Sequence, residues 1–479
     1  MLRPLVLINI IQVTPYSYLD SSGNIKIIER NKNIELDFVN YYEINSSWES
    51  HTNTASIKFP KNIQLQDGNF LFKESGSYNV IMGGTSNENI TTPPLFLKGD
   101  IVTIQDGYFF KNEFGKDITV GKTVFSGYIS NVKSDIPIEI ECEDNFYLLK
   151  RVPFDSTVFP IKGGKIGGKT DLYSLMQHIV DLVNEQFSKY VRNGLKLYPT
   201  LTFNEIPNAI TSQFSLGYLD IGDLTCAQLL DKLKNQFHFE STFVGNSLIF
   251  GAIIYNDSEL NEGSPLLGTN LNPNSENFFY FSDFYNNGIL DASANIFGKD
   301  LEYSNKGDVI LSTIVQCKII VPVKGRQTKD GFQVTKKQKL KVLVYWDIPT
   351  ETYKFVDLSI TGTVVPRNVD GGERHTCFYP VSPSEKTPTI QNLVDLGISQ
   401  LKKYYYTGFK GSFDTFGFPF IDWNYNINII DPIISDRNGQ YKVKKVTRRG
   451  GINGISQNIT LDYKQQVDIP KNTKNIFMI

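Results

Sequence analysis

The chain has 479 residues, 40% of them hydrophobic and 20% charged, a globular profile long enough for about two to four compact units and unlike that of a disordered chain. A formal net charge of −2 argues against a general affinity for nucleic acid or anionic membrane. Phe (33) and Tyr (25) far outnumber Met (4), a bias that favours pleated surfaces over helix bundles.

The opening "MLRPLVLINIIQVTPYSY" is apolar but interrupted by Asn9 and Gln12, with no small-residue cleavage site after it. It is therefore not read as a signal peptide, and no apolar run approaches the length of a membrane span. The expectation is a protein folded in the cytoplasm, without stable membrane insertion. From there to about residue 155 the pattern is one of strands and turns. "NIELDFVNYYEI", "TASIKFP", "GDIVTIQDGYFF" and "KTVFSGYISNV" all alternate apolar with polar residues, the period of half-buried strands. In "IPIEIECEDNFYLLKR", Ile138, Ile140 and Cys142 point one way and Glu139, Glu141 and Glu143 the other. Such a meander is expected to close, or nearly close, to protect its edges.

Over 156–255 the period changes. Leu172, Leu175, Met176, Ile179, Leu182, Val183 and Phe187 fall at helical spacing. A second helix is predicted at roughly 224–237, then a hairpin turning at Gly245-Asn246. These make a small α+β unit. A polar connector follows at 256–277, and strands resume in "GDVILSTIVQCKIIVPV". The basic segment 324–342 reads as an exposed hairpin or loop, and a further helix is predicted at about 389–405. "FIDWNYNINIID", "GQYKVKKVTRR" and "GISQNITLDYK" return to strands. Residues 256–465 form the third expected unit, and 466–479 a loose tail.

Several motifs invite a chemical reading. "GGKIGGKT" (163–170) fits the phosphate-loop pattern, in which backbone amides, Lys169 and a hydroxyl would cradle a nucleotide. Its flanks read as antiparallel strands rather than a parallel sheet, and no apolar strand ends in a metal-binding Asp. The plainer reading is a glycine-rich hinge with Thr170 as a helix N-cap and Asp171 in the first turn. The nucleotide-binding alternative predicts tight ATP binding that Lys169→Ala abolishes. Glu139, Glu141, Glu143 and Asp144 read as a solvated carboxylate face with no contrast in environment. His51, His178, His238 and His375 are dispersed, and His375 near Cys377 is a weak metal signal. Cys142, Cys226, Cys317 and Cys377 have neither metal spacing nor the pattern of a disulfide framework. Lys444-Lys445 and Arg448-Arg449 read as a solvated or intersubunit strand. No catalytic, cofactor-binding or metal-binding residue is nominated, and no cofactor is expected.

Three stretches, taken in order, resemble the hub proteins of phage tails and baseplates. "INSSWESHTNTASIKFPKNI" (44–63) is similar to their first-barrel signature, with Trp48 in a turn and Pro60 ending a strand. "KGDIVTIQDGYF" and "VFSGYISNVKSDIPIEIECEDNFYLLKR" resemble its continuation: Gly99 and Asp100 begin a strand, Gly127 sits in the partner strand, and Glu143-Asp144 close the unit. Residues 401–461 resemble the last barrel, where the motif residues are Gly417, Pro419, Gly439 and Tyr441. Asp422-Trp423-Asn424 stands where most such hubs carry His-Gly.

The resemblance implies a mainly β chain with α+β insertions: two tail-tube-like antiparallel β-barrels (1–155 and 256–465) and a small helix–hairpin domain (156–255). It implies a non-enzymatic homotrimer located in the virion. Three chains with two barrels each would form a pseudo-sixfold ring. The ring would join a sixfold tail tube protein to a threefold central spike protein, among other baseplate proteins, and line the exit channel for viral DNA. The hub of a non-viral contractile injection system would look the same in sequence.

Overall fold

The computed structural model describes residues 3–59, 84–85, 91–111, 117–133, 137–155, 161–162, 165–166, 172–205, 223–237, 240–251, 296–304, 312–327, 333–347, 350–365, 374–378, 389–404, 408–429 and 439–464, apart from residues 21, 38, 48, 351, 361, 364, 418–419 and 424–425. Strands dominate. The first stretch carries β1 (Arg3–Ile11), β2 (Tyr16–Leu19), β3 (Ile25–Ile28), β4 (Asn33–Leu36), β5 (Tyr41–Ser47), β6 (Thr54–Phe59), and the short β7 (Gly84–Thr85) and β8 (Thr91–Thr92). Then come β9 (Ile101–Lys111), β10 (Asp117–Lys133), β11 (Ile138–Glu143) and the one-turn helix α1 (Phe146–Lys150). As the alternation predicts, Ile138, Ile140 and Cys142 are buried. The register sets Glu139 opposite both Lys58 and Lys133, so the acidic face is solvated and charge-balanced.

The middle segment begins with β12 (Ile161–Lys162) and β13 (Lys165–Ile166). It continues through α2 (Leu172–Ser188), β14 (Val191–Arg192), β15 (Leu195–Lys196), β16 (Thr202–Glu205), α3 (Cys226–Phe237), β17 (Glu240–Val244) and β18 (Ser247–Gly251). Both predicted helices are present. Leu175, Met176, Ile179, Val180 and Val183 of α2 pack with Cys226, Leu229, Leu230 and Leu233 of α3 in one core, which α1 also enters. The β17–β18 hairpin turns at Gly245, whose φ of +58° suits glycine.

The last segment holds β19 (Ile296–Ser304), β20 (Ser312–Gln327), β21 (Gln333–Asp347), β22 (Thr352–Asp357), β23 (Arg374–Phe378) and α4 (Ile390–Tyr404). It ends with β24 (Gly408–Phe416), β25 (Asn426–Ile429), β26 (Gly439–Gly451) and β27 (Gly454–Lys464). β22-β21-β20-β23 form a four-stranded sheet. Val315, Cys317, Leu340, Val342 and Val344 on one of its faces bury Leu393, Val394 and Leu401 of α4. The described parts of the basic segment 324–342 thus lie in the paired strands β20 and β21 of this sheet.

The dominant feature is a 12-stranded sheet of order β19-β24-β27-β26-β5-β6-β11-β10-β9-β1-β4, with β25 paired to β26. Its pairings are antiparallel throughout. The chain is therefore mainly β, as its composition and period suggest. Strands from the two ends of the sequence lie in one sheet, joined where β26 pairs with β5. Two apolar cores lie along it, one built on β1, β5, β6 and β9 to β11 and the other on β24 to β27. Ile455 of β27 packs in the first of these.

Candidate functional site: the seam between the two ends of the chain

The register at the seam runs from Lys445↔Ser47 through Arg448↔Ile44 and Gly450↔Tyr42 to Gly451↔Tyr41. Tyr42 and Gly450 are one unit. A Cβ on Gly450 would lie 2.4 Å from the Tyr42 ring, so only glycine lets the ring lie across the partner strand. Tyr42 is fully buried, and its hydroxyl donates to Oδ2 of Asp106 on β9. Burial first, and then the Asp106 charge, hold this phenol well above its ordinary range.

Asp106 is the anchor. It is 0% exposed and faces Arg448, itself 4% exposed. The Arg448 Nε and Nη2 grip both carboxylate oxygens, with Nη2–Oδ1 at 2.7 Å, the bidentate geometry that makes such pairs strong. Two further donors are used as well: Nη1 donates to Gln457 Oε1 at 3.0 Å and Nη2 to the Gly417 carbonyl at 2.6 Å. The guanidinium also lies 4.8 Å from the centre of the Phe420 ring. Gly417 N–H in turn donates to the Tyr108 hydroxyl, and Tyr108 donates to the Ile455 carbonyl. Groups from β5, β9, β26, β27 and the stretch after β24 therefore share one buried network.

The expectation that Lys444-Lys445 and Arg448-Arg449 lie on a solvated or intersubunit strand is corrected at Arg448, whose charge is consumed within the chain. Beside it Arg449 donates to Glu43 Oε2 at 2.9 Å on the outer face, and Lys444 lies 2.9 Å from Glu49. Partial burial raises the Glu43 carboxyl, but hydrogen bonds from Tyr41, Arg449 and Asn45 bring it down to about 2. The sequence did carry a signal. Arg448 shares parity with buried Val446 and Gly450, and Asp106 with buried Val102 and Ile104.

Several of the motif residues are buried or closely confined. Asp100, 0% exposed, is held by Arg30 through Nη1–Oδ1 at 2.9 Å and Nη2–Oδ2 at 2.7 Å. It also accepts from the N–H groups of Val13, Thr14 and Leu97. Gly99 has φ +95°, and a Cβ there would sit 2.8 Å from Thr14 Oγ1. At Gly127 a Cβ would lie 2.1 Å from the Glu143 carbonyl, and at Gly417 2.2 Å from Ile455 Cγ2. Glu143 takes a charge contact from Lys150 at 2.6 Å. Gly439 pairs with Ile429, and the fully buried Tyr441 accepts the Phe409 N–H at 3.0 Å. Trp48, Pro60 and Pro419 lie outside the described residues, as do Thr170, Asp171 and His238.

Asp144 departs from the expected uniform carboxylate face. It is 5% exposed and accepts from Asn53 N at 2.8 Å, the Thr52 hydroxyl at 3.0 Å and Phe146 N at 3.0 Å. Burial outweighs those bonds and pushes its carboxyl up to about 6. Oδ1 closes the turn before α1 and also takes the Thr52 hydroxyl, while Oδ2 takes the Asn53 N–H, so the contrast with the neighbouring glutamates is structural.

His51 also joins units. Its Nδ1 lies 2.6 Å from Ser241 Oγ, its ring stacks on Phe146 at 5.4 Å, and Lys234 Nζ reaches the Glu49 carbonyl at 2.7 Å. Nε2 is 3.3 Å from Asp231 Oδ1, near enough for a charge contact, yet it makes no hydrogen bond. The residue types mimic a hydrolytic triad, but Ser241 is 1% exposed and out of reach of a substrate. Burial lowers the His51 pKa.

Of the phosphate-loop match only Lys165 and Ile166 are among the described residues. Ile161 pairs with Ile166 and Lys162 with Lys165 in a tight antiparallel ladder, so the motif's fourth position, Ile166, pairs back onto the residues just before the motif. Among the described residues no three His, Cys, Asp or Glu side chains gather into a metal-holding group, and no helix is long and apolar enough to cross a membrane.

No protein-family model matches the chain, and no curated protein matches it. Among solved structures it is similar to the 43 kDa tail protein of prophage MuSo2 from Shewanella oneidensis, with 10% identity, TM-score 0.42, and 96% of this chain and 97% of that chain covered. It is likewise similar to a tail protein from Neisseria meningitidis MC58, with 11% identity, TM-score 0.42 and 96% of each chain covered. A chain of the lidless PdpA-VgrG complex gives 11% identity and TM-score 0.42 over 97% of this chain and 66% of that one. Likeness at this level carries no argument by itself.

Proposed function

We propose that the chain is a structural component of a phage-type tail or baseplate, a hub that forms a homotrimer. The observation that carries the reading is the β5–β26 seam. The two stretches that resemble the first and last hub barrels in sequence are the strands fused into one sheet and locked by Asp106–Arg448. Two strand sets fixed rigidly to one another can act as two adjacent segments of a ring, and three such chains would present six segments on a threefold axis. We assign 1–155 and 256–465 to the tube-like halves and 156–255 to the helix–hairpin unit. The partners are the tail tube, the central spike and other baseplate proteins, with viral DNA passing through the ring in a virion.

Exposed Leu19, Ile25 and Ile27, at 68%, 72% and 65% on the β2–β3 hairpin, support association through apolar surface. The role needs no catalytic residue, because symmetry adaptation is the mechanism. Light scattering of the purified protein should give about three times the 54.3 kDa chain mass, and microscopy should show a ring with an open centre. A protein that stays monomeric at high concentration, with no ring in the particle, would overturn the proposal.

A further inference from the structure

The β2–β3 hairpin forms a two-stranded sheet of its own, outside the 12-stranded one. Its register sets Leu19 opposite Ile25 and Ser17 opposite Ile27, so these four side chains share one face. Tyr16, Tyr18 and Ile28, on the other face, are half-buried. The first face is bare, with Leu19, Ile25 and Ile27 at 68%, 72% and 65% exposure. A single aliphatic side chain at a surface is ordinary, whereas a cluster of them marks a place of contact.

The hairpin is built to hold that face in position. At its turn, Asp20 Oδ1 accepts the N–H groups of Ser22 and Asn24, both at 2.9 Å, and Gly23 takes φ +81°. At its root, Arg30 grips the buried Asp100. The Arg30 carbonyl accepts from Arg192 Nη2 at 2.8 Å, and the same nitrogen donates to the Gln12 carbonyl at 2.8 Å. Arg192 stands opposite Leu195 in the β14–β15 hairpin. Leu195, 73% exposed, therefore shares the face that reaches the root of β2–β3. Two-stranded ribbons are marginal in water without something to pack against.

We infer that the β2–β3 hairpin is an arm whose Leu19, Ile25 and Ile27 face packs on a second copy of this chain. The inference rests on the hub reading and names one of its self-contacts. Charge argues against a lipid surface. Residues 16–29 carry Asp20 and Glu29 against Lys26, a balance of −1, whereas segments that bind anionic bilayers are basic. Area argues against an independent protein partner. Each aliphatic side chain offers on the order of 100 Å² of apolar surface, so the three with Leu195 reach about 400 Å². That is half of the roughly 800 Å² per partner found in stable interfaces. Such a face is too small to hold a separate protein alone, but in an oligomer it adds to other contacts of the same two copies. A ring is built from heterologous contacts, so each arm meets a different patch on the next chain.

The test is sedimentation velocity of the full chain over a concentration series. The wild type should assemble, and Leu19→Ser, Ile25→Ser and Ile27→Ser together should raise the dissociation constant at least about 100-fold. Ile25→Lys alone changes one exposed side chain, should weaken assembly in the same direction, and carries the test where the triple variant does not fold. A photo-crosslinking benzoylphenylalanine in place of Ile25 should give adducts at about twice the 54.3 kDa chain mass. Circular dichroism checks the fold of every variant. An assembled wild type whose folded variants assemble equally well, or which gives no adduct between chains, would overturn the inference and leave the hub reading standing. A wild type that stays monomeric would overturn the hub reading and this inference with it. Co-sedimentation with phosphatidylcholine vesicles that the triple replacement abolishes, with assembly unchanged, would assign the arm to lipid instead.

Discussion

Arg448→Met is the most incisive perturbation of the seam. Methionine keeps much of the stem's volume but removes every donor. It takes the Arg448 donors away from Asp106, 0% exposed, which keeps the Tyr42 hydroxyl, and strips the Gly417 carbonyl and Gln457 Oε1 of their Arg448 bonds. Removing one partner of a buried ion pair costs about 3–5 kcal/mol, whereas replacing both by apolar residues of similar volume is often close to neutral. Set against a typical unfolding free energy of about 5–15 kcal/mol, the single change should shift the urea midpoint strongly.

Asp106→Leu combined with Arg448→Met should recover most of the loss. The residual cost is about 1–3 kcal/mol for each orphaned group, the Tyr42 hydroxyl and the Gly417 carbonyl, and adding Tyr42→Phe should remove the first of these. Urea unfolding followed by circular dichroism gives all three values, with the slope of each transition checking that the unfolding unit is unchanged. A loss below about 1 kcal/mol for Arg448→Met, or a double variant less stable than the single, would refute the account of the seam as a desolvated, mutually dependent pair.

Two further outcomes follow from the same geometry. Gly450→Ala should destabilise by at least about 1–3 kcal/mol, because its Cβ would meet the buried Tyr42 ring at 2.4 Å; Tyr42→Leu on that background should relieve the clash in thermal melts. Asp144 titrates near 6 when folded, against an ordinary value of 3.8. A carboxyl raised in this way contributes stability that is full below about pH 4 and lost as pH rises through about 6, a difference of about 3 kcal/mol. Asp144→Asn should flatten the pH dependence of unfolding across that window, and carboxyl-carbon NMR should place the midpoint; a midpoint near 4 would refute the burial argument.

Much of the fold is legible in the sequence because its signals are local. The two-residue period of "IEIEC" fixed which side of β11 is buried, the 3.6-residue spacing of Leu175, Met176, Ile179 and Val183 fixed α2, and Gly245 marked a turn. Parity with Val446 hinted that Arg448 faces inward, but parity alone does not name a partner. Whether a charged side chain is solvated or buried depends on what stands across from it. For Arg448 that is Asp106, 342 residues away in sequence, and β26 reverses its face through the register shifts between Tyr441 and Lys445. Chain order and local period determined the strands, helices and hairpins of this protein. Only the tertiary structure decided which strand edges meet, because edge pairing is set by long-range burial and charge compensation that no short window of sequence contains.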